Sequence, residues 1–161
     1  MLVRSLRTGL AAALAVIVTD QASKAWLLGV LAQANGGPIR VLPFFDLVMV
    51  WNYGISFGMM NDGDDSARWI LVAVALAIVA ALVAWLARTK ERHLAIAIGA
   101  VIGGALGNVV DRVRFGAVAD FFDVHVAGWH WPAFNVADSA ITLGVAALLL
   151  DALLRPRRGR T

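Results

Sequence analysis

With 161 residues, 60% of them hydrophobic, and a formal charge of +3, the chain exceeds the roughly 45–50% apolar content of a soluble domain. A mean hydropathy of +0.76 agrees. Its lack of cysteine excludes a disulfide framework, a thiolate zinc site and a cysteine nucleophile. Its basic residues flank apolar runs instead of interleaving with aromatics, which argues against nucleic acid as a partner.

A bilayer core needs about 20 residues of helix, and four segments qualify. The first, about 8–30, is interrupted by Asp20 and Lys24, with Gln21 and Ser23 adding polarity. The acid and the lysine are four apart and share a helix face. Charges at membrane depth are costly and usually functional. Spacing leaves two readings open: a structural ion pair, or a contact to substrate or catalytic groups. The apolar run Gly9–Val18 followed by Ala32-Gln33-Ala34 resembles a cleavable leader, but Asp20 and Lys24 break the apolar segment a leader requires, so cleavage is not expected.

About 36–60 reads differently. Ile39–Leu42 and Phe45–Val50 are rich in β-branched and aromatic residues and are punctuated by Gly36-Gly37-Pro38 and Pro43, which predicts a small extramembrane sheet. Gly54–Met60 is a candidate extension of it, and Asn61–Asp65 reads as a solvated loop. Asn52 lies at the sheet's end, where Asn-x-Gly alone is ordinary turn chemistry.

The second span, 69–87, carries no internal charge before the tight turn holding Arg88, Lys90 and Arg92. In the third, 94–113, Gly99, Gly103 and Gly107 recur every four residues, a seam that lets another helix approach closely. Gly104, Asn108 and Arg112 form a second stripe at the same spacing, with Asp111 beside it. Asp111 and Arg114 have an alternative reading as snorkelling or self-paired charges.

Beyond that span, Asp120 sits in Ala117-Val118-Ala119-Asp120-Phe121-Phe122, where desolvation would raise its pKa. Asp123 is a third acid in the same connection. The fourth span, 136–154, opens with Asn135 and Asp138 three apart. That spacing fits a capping box, and the macrodipole favours an acid there; spacing alone favours a cap. His93, His125 and His130 show no metal-ligand spacing, so neither metal nor other cofactor is expected.

Short-loop Lys/Arg bias sets orientation. Arg4, Arg7, Arg88, Lys90, Arg92, Arg155, Arg157, Arg158 and Arg160 belong to one side, predicting cytoplasmic termini. The connections 31–68 and 114–135 face the other way. Asp120 and Asp138 then fall at one membrane level on consecutive antiparallel spans. Two close carboxylates share a proton over a useful pH range, so one can take a proton from water while the other donates to a carbonyl.

These pieces, in order, resemble the lipoprotein signal peptidases (signal peptidase II). The resemblance rests on Asp20-Gln21-Ala22-Ser23-Lys24, Asn52-Tyr53-Gly54-Ile55-Ser56-Phe57, Gly103 through Arg112, Val118-Ala119-Asp120-Phe121 and Phe134-Asn135-Val136-Ala137-Asp138-Ser139. It implies a single integral membrane domain over 1–161: a mainly α four-helix bundle, a small β-cradle between the first two helices, and a short periplasmic helix between the third and fourth. The implied enzyme is a bacterial inner-membrane aspartic endopeptidase that removes signal peptides from diacylglyceryl-modified prolipoproteins, cutting just before the lipidated cysteine.

By motif, Asp120 and Asp138 look like its catalytic pair. Asn108, Arg112 and Asn135 look like supporting groups, with Gly104 leaving room near them. Asp20, Lys24 and Asn52 are similar to positions that shape the site. Expected partners are the lipidated substrate, membrane lipids and globomycin-like peptide inhibitors, and a monomer is expected. Ala119 and Ser56 depart from the commoner residues. Two other classes compete: a small transporter or proton relay using the intramembrane charges, and an assembly subunit using the glycine seam.

Overall fold

The computed structural model describes residues 2–34, 37–54 and 66–154. Four long helices alternate with a small sheet: α1 (Leu2–Gln33), β1 (Ile39–Leu42), β2 (Phe45–Asn52), α2 (Ser66–Leu86), α3 (Arg92–Phe115), β3 (Val118–Val126), β4 (Trp129–His130) and α4 (Val136–Leu154).

All four helices are long and apolar enough to cross a membrane, yet they are buried very differently. About 67% of the apolar window of α3 is buried, against 11–22% in the other three. Helix α3 is therefore the axis on which α1, α2 and α4 pack. The others turn residues such as Leu14, Trp26, Ile70, Ile78, Leu143 and Leu149 outward. Apolar surface of that extent suits lipid and not water, so the chain reads as a multi-pass membrane protein.

The glycines of α3 explain how it tolerates three neighbours. A side-chain carbon at Gly99 would strike the Gly9 carbonyl of α1, and one at Gly103 would lie 2.5 Å from that of Ala13. On the other side, one at Gly104 would strike the Ala137 carbonyl of α4. The two stripes seen in the sequence thus serve different partners: Gly99 and Gly103 admit α1, and Gly104 admits α4. Gly99→Val should cost at least about 1–3 kcal/mol by overpacking. Gly29→Ala, whose new carbon would meet nothing within 4 Å, should be neutral or stabilising by up to about 1 kcal/mol. Thermal unfolding in detergent checks both, and equal midpoints for the two variants would refute this account of the seam.

The sheet is antiparallel in the order β1-β2-β3-β4. Its central pairing sets Asp46 opposite Asp123, Val50 opposite Asp120 and Asn52 opposite Val118, with a register shift between Leu47 and Val50. Leu27 and Leu31 of α1 bury against Phe121, so the sheet is anchored on the first helix.

One expectation is corrected here. No short helix lies between α3 and α4; residues 118–130 are strands, turning through Ala127 (φ 51°) and Gly128 (φ 82°). Half the sheet therefore comes from the second connection. The physical reason is that β2 leaves an edge whose backbone groups need partners, and the Val- and Phe-rich segment after α3 supplies them. The end of α3 is prepared for this exit: Gly116 adopts the left-handed conformation (φ 83°) and its N–H returns to the Arg112 carbonyl. The proposed sheet extension beyond Gly54, Ser56, the loop at 61–65, Gly36 and the arginines after Leu154 lie outside the described residues.

Candidate active site

The polar motifs, scattered over more than a hundred residues, converge where the sheet meets the interior of α1, the C-terminal end of α3 and the first turn of α4. Asp120 leaves β3 and is buried. Its Oδ1 accepts from Asn135 Nδ2 at 2.7 Å and its Oδ2 from Asn52 Nδ2 at 3.0 Å. Asp138 lies in the first turn of α4. Its Oδ1 accepts from Asn108 Nδ2 at 2.8 Å, and its Oδ2 from the Asn135 backbone N–H at 3.1 Å. In return, Asn135 Oδ1 accepts from the Asp138 N–H at 3.0 Å.

The capping box read from spacing is therefore present, but it occupies one carboxylate oxygen and leaves the other for Asn108. Cap and site are the same residue. Asn135 joins the two acids, because its side-chain amide donates to Asp120 while its backbone N–H donates to Asp138.

Electrostatics separates Asp120 from an ordinary surface acid. Its pKa is pushed up to about 6, chiefly because burial penalises the charged form. Nearby Asp138 pushes it further, while the donors Asn52 and Asn135 and the charge of Lys24 pull it back. A carboxyl so poised changes protonation near neutrality, as acid–base chemistry requires.

Beneath the pair lies a buried ionic group. Lys24 Nζ stands 2.8 Å from Asp20 Oδ2, 2.7 Å from Asp111 Oδ2 and 3.3 Å from Asn108 Oδ1. Its three N–H donors thus meet three acceptors. Gln21 Nε2 adds bonds to Asp111 Oδ1 at 2.9 Å and Asp20 Oδ2 at 3.1 Å. The α1 pair expected from its four-residue spacing is a triad with an acid from α3. Asp111, read as an end-of-helix charge that could snorkel, is buried and paired with Lys24. The role of Gln21 was not legible either: its partner lies 90 residues away in sequence.

Arg112 is half-buried, donates to the Asn108 carbonyl at 3.4 Å, and lies within electrostatic reach of Asp138, Asp111 and Asp120. A side chain at Gly54 (φ 87°) would crowd Leu71 and come within 3.3 Å of the Arg112 guanidinium. Asp123 does not join the group. Odd spacing from Asp120 sends it to the other face of β3, where its Oδ2 meets His130 Nδ1 at 2.7 Å.

Residues 12–154 match the family model described as signal peptidase (SPase) II. Over 147 residues the chain is 48% identical to the lipoprotein signal peptidase of Methylorubrum extorquens, covering 91% of this chain and 86% of that one. Over 156 residues it is 46% identical to that of a Methylobacterium strain, covering 97% and 94%. A solved bacterial membrane enzyme superposes with a TM-score of 0.77 at 30% identity, covering 92% of this chain and 93% of its own.

Proposed function

This chain belongs to the signal peptidase II family, and on that premise we propose that it is an aspartic endopeptidase of the inner membrane that cuts diacylglyceryl-modified prolipoproteins just before the lipidated cysteine. The observation that carries the aspartic reading is Asn135 joining Asp120 and Asp138, from two different elements, at the end of the bundle where the sheet lies.

In this reading the pair shares one proton. The ionised carboxylate takes a proton from water as its oxygen adds to the scissile carbonyl carbon, and the protonated carboxyl donates to the carbonyl oxygen. Collapse of the tetrahedral adduct breaks the C–N bond: one hydroxyl of the adduct returns its proton to the pair as the carbonyl re-forms, and the departing amine takes a proton from the pair. One water is consumed, and the pair returns to its starting protonation. Asn52, Asn108 and Asn135 orient the carboxyls by donating to them. Arg112 offers positive charge beside the developing oxyanion. Gly104 lets α4, and so Asp138, approach α3.

A lipidated substrate arrives from within the bilayer, so a site at the bundle's end keeps its acyl chains against apolar helix faces. The Lys/Arg bias supports both termini being cytoplasmic, with this end of the bundle facing the periplasm. Globomycin-like peptides would compete for the pair, and the chain would act as a monomer without cofactor.

The deciding measurement uses purified protein with one prolipoprotein in two forms. The diacylglyceryl-modified form should be cleaved immediately before its cysteine, and the unmodified form at least about tenfold more slowly, the loss of acyl binding energy appearing in kcat/KM. Equal cleavage of both, or solute flux in proteoliposomes without cleavage, would reject the proposal. The intramembrane charges are a poor relay, since each is held by fixed partners.

A further inference from the structure

The buried ionic group touches neither proposed catalytic carboxyl through Lys24 itself, yet each of its three acceptors leads to one. Asp20 Oδ1 accepts the backbone N–H of Ala137 at 3.0 Å, one residue before Asp138. Asp111 Oδ2 accepts the backbone N–H of Ala119 at 3.2 Å, one residue before Asp120. Asn108 Oδ1 faces Lys24, which turns its amide nitrogen toward Asp138 Oδ1 at 2.8 Å.

We infer that Lys24 is a positioning residue: by holding Asp20, Asp111 and Asn108 on one ammonium group it sets how far apart the two aspartates stand and how the Asn108 amide is oriented. This rests on the aspartic reading above.

The chemistry of the group supports that role over simple charge neutralisation. One lysine between two carboxylates leaves the cluster at net −1, so balance alone would be reached with fewer buried charges. Buried ion pairs are often replaceable without loss of stability. Here each carboxylate also spends an oxygen on the backbone immediately before a site aspartate, one in β3 and the other in the first turn of α4. An ammonium suits three acceptors arriving from different elements, whereas a guanidinium presents a planar fork and would not match them. Misplacement of a reacting group by about 1 Å costs on the order of 100-fold in rate, so loss of the tether should register in turnover.

The test compares wild type, Lys24→Met, the double variant Lys24→Met/Asp111→Asn, and Asp120→Asn, with the diacylglyceryl-modified prolipoprotein as substrate. The double variant keeps the cluster at net −1 and keeps an amide oxygen for the Ala119 N–H. It should therefore fold, with a thermal midpoint near wild type, while the single variant melts lower. Its kcat should still fall at least 30-fold, with KM changed less than threefold. A merely structural lysine would leave kcat near wild type once folding is restored.

Two results would overturn the inference: a folded double variant with kcat within threefold of wild type, or a double variant that no longer folds, which would place stability in the lysine itself. Asp120→Asn separates this from the reading beneath it. If that variant cleaves normally, the aspartic proposal has failed; if it is dead while the double variant is active, only the positioning role has failed.

Discussion

Asp120→Asn and Asp138→Asn should each lower kcat for a lipidated prolipoprotein by about 10³-fold or more, with KM little changed. General acid–base groups contribute roughly 10²–10⁴-fold each, and groups that act as a unit lose nearly everything when one is removed. Asparagine keeps the shape and one acceptor oxygen, so binding survives while proton transfer does not. Stability makes the result interpretable. A carboxyl whose pKa is raised on folding favours the folded state while it is protonated, below its ordinary value of 3.8, and loses that contribution as pH rises through about 6. Asn does not titrate. Asp120→Asn should therefore gain stability relative to wild type between pH 5 and pH 8, even though it is inactive. Turnover within tenfold of wild type in either variant would end the aspartic reading.

Asn135→Leu is expected to damage both fold and activity. Asn135 is fully buried. Its amide nitrogen reaches Asp120 Oδ1, the Ala119 carbonyl at 3.2 Å and Asn108 Oδ1 at 3.3 Å, and its oxygen caps the Asp138 N–H. Leucine fills the space but leaves these groups unpaired, at about 1–3 kcal/mol for each that stays buried. Partial relaxation makes a total loss of about 3–5 kcal/mol reasonable. The Asp120 pKa should rise further with its nearest donor gone, and kcat should fall at least about 100-fold through lost orientation. Thermal unfolding and steady-state kinetics at several pH values read both effects. Asp123→Asn is the matched control: an acid three residues from Asp120 but on the other face of its strand, expected to leave kcat within about threefold. A variant at Asn135 as stable and active as this control would refute the bridging role.

The two results bear on one feature. The aspartates are not simply adjacent acids; each is tied by one oxygen to Asn135 and by the other to a second asparagine, Asn52 for Asp120 and Asn108 for Asp138. That arrangement leaves limited freedom for either carboxyl, as preorganised acid–base chemistry requires.

Much of this was readable from the chain alone, for identifiable reasons. Apolar runs of membrane length need no partner to be recognised, because the bilayer imposes the length. The reciprocal cap of Asn135 and Asp138 is local, so its three-residue spacing announces it. The seam at Gly99 and Gly103 is likewise a property of one helix, and only the identity of the helices it admits had to come from packing. The ordered motifs indicated the family because they span nearly the whole chain.

Tertiary structure decided everything that depends on contact between distant segments. Lys24 and Asp20 share a turn of helix, but Asp111 is 87 residues from Lys24, and no periodicity relates them. The family resemblance implied a short helix in the segment after α3. It is a strand because an edge of β2 waits to be paired, and its first four residues, Val118 to Phe121, are buried on both faces, so alternation of polar and apolar residues shows only from Asp123 to Val126. Asp120 and Asp123 are near-equals in sequence, and the two-residue period of a strand sends one to Asn135 and the other to His130. Local chemistry is written in neighbouring residues; which oxygen meets which donor is settled only when the helices and the sheet close on one another.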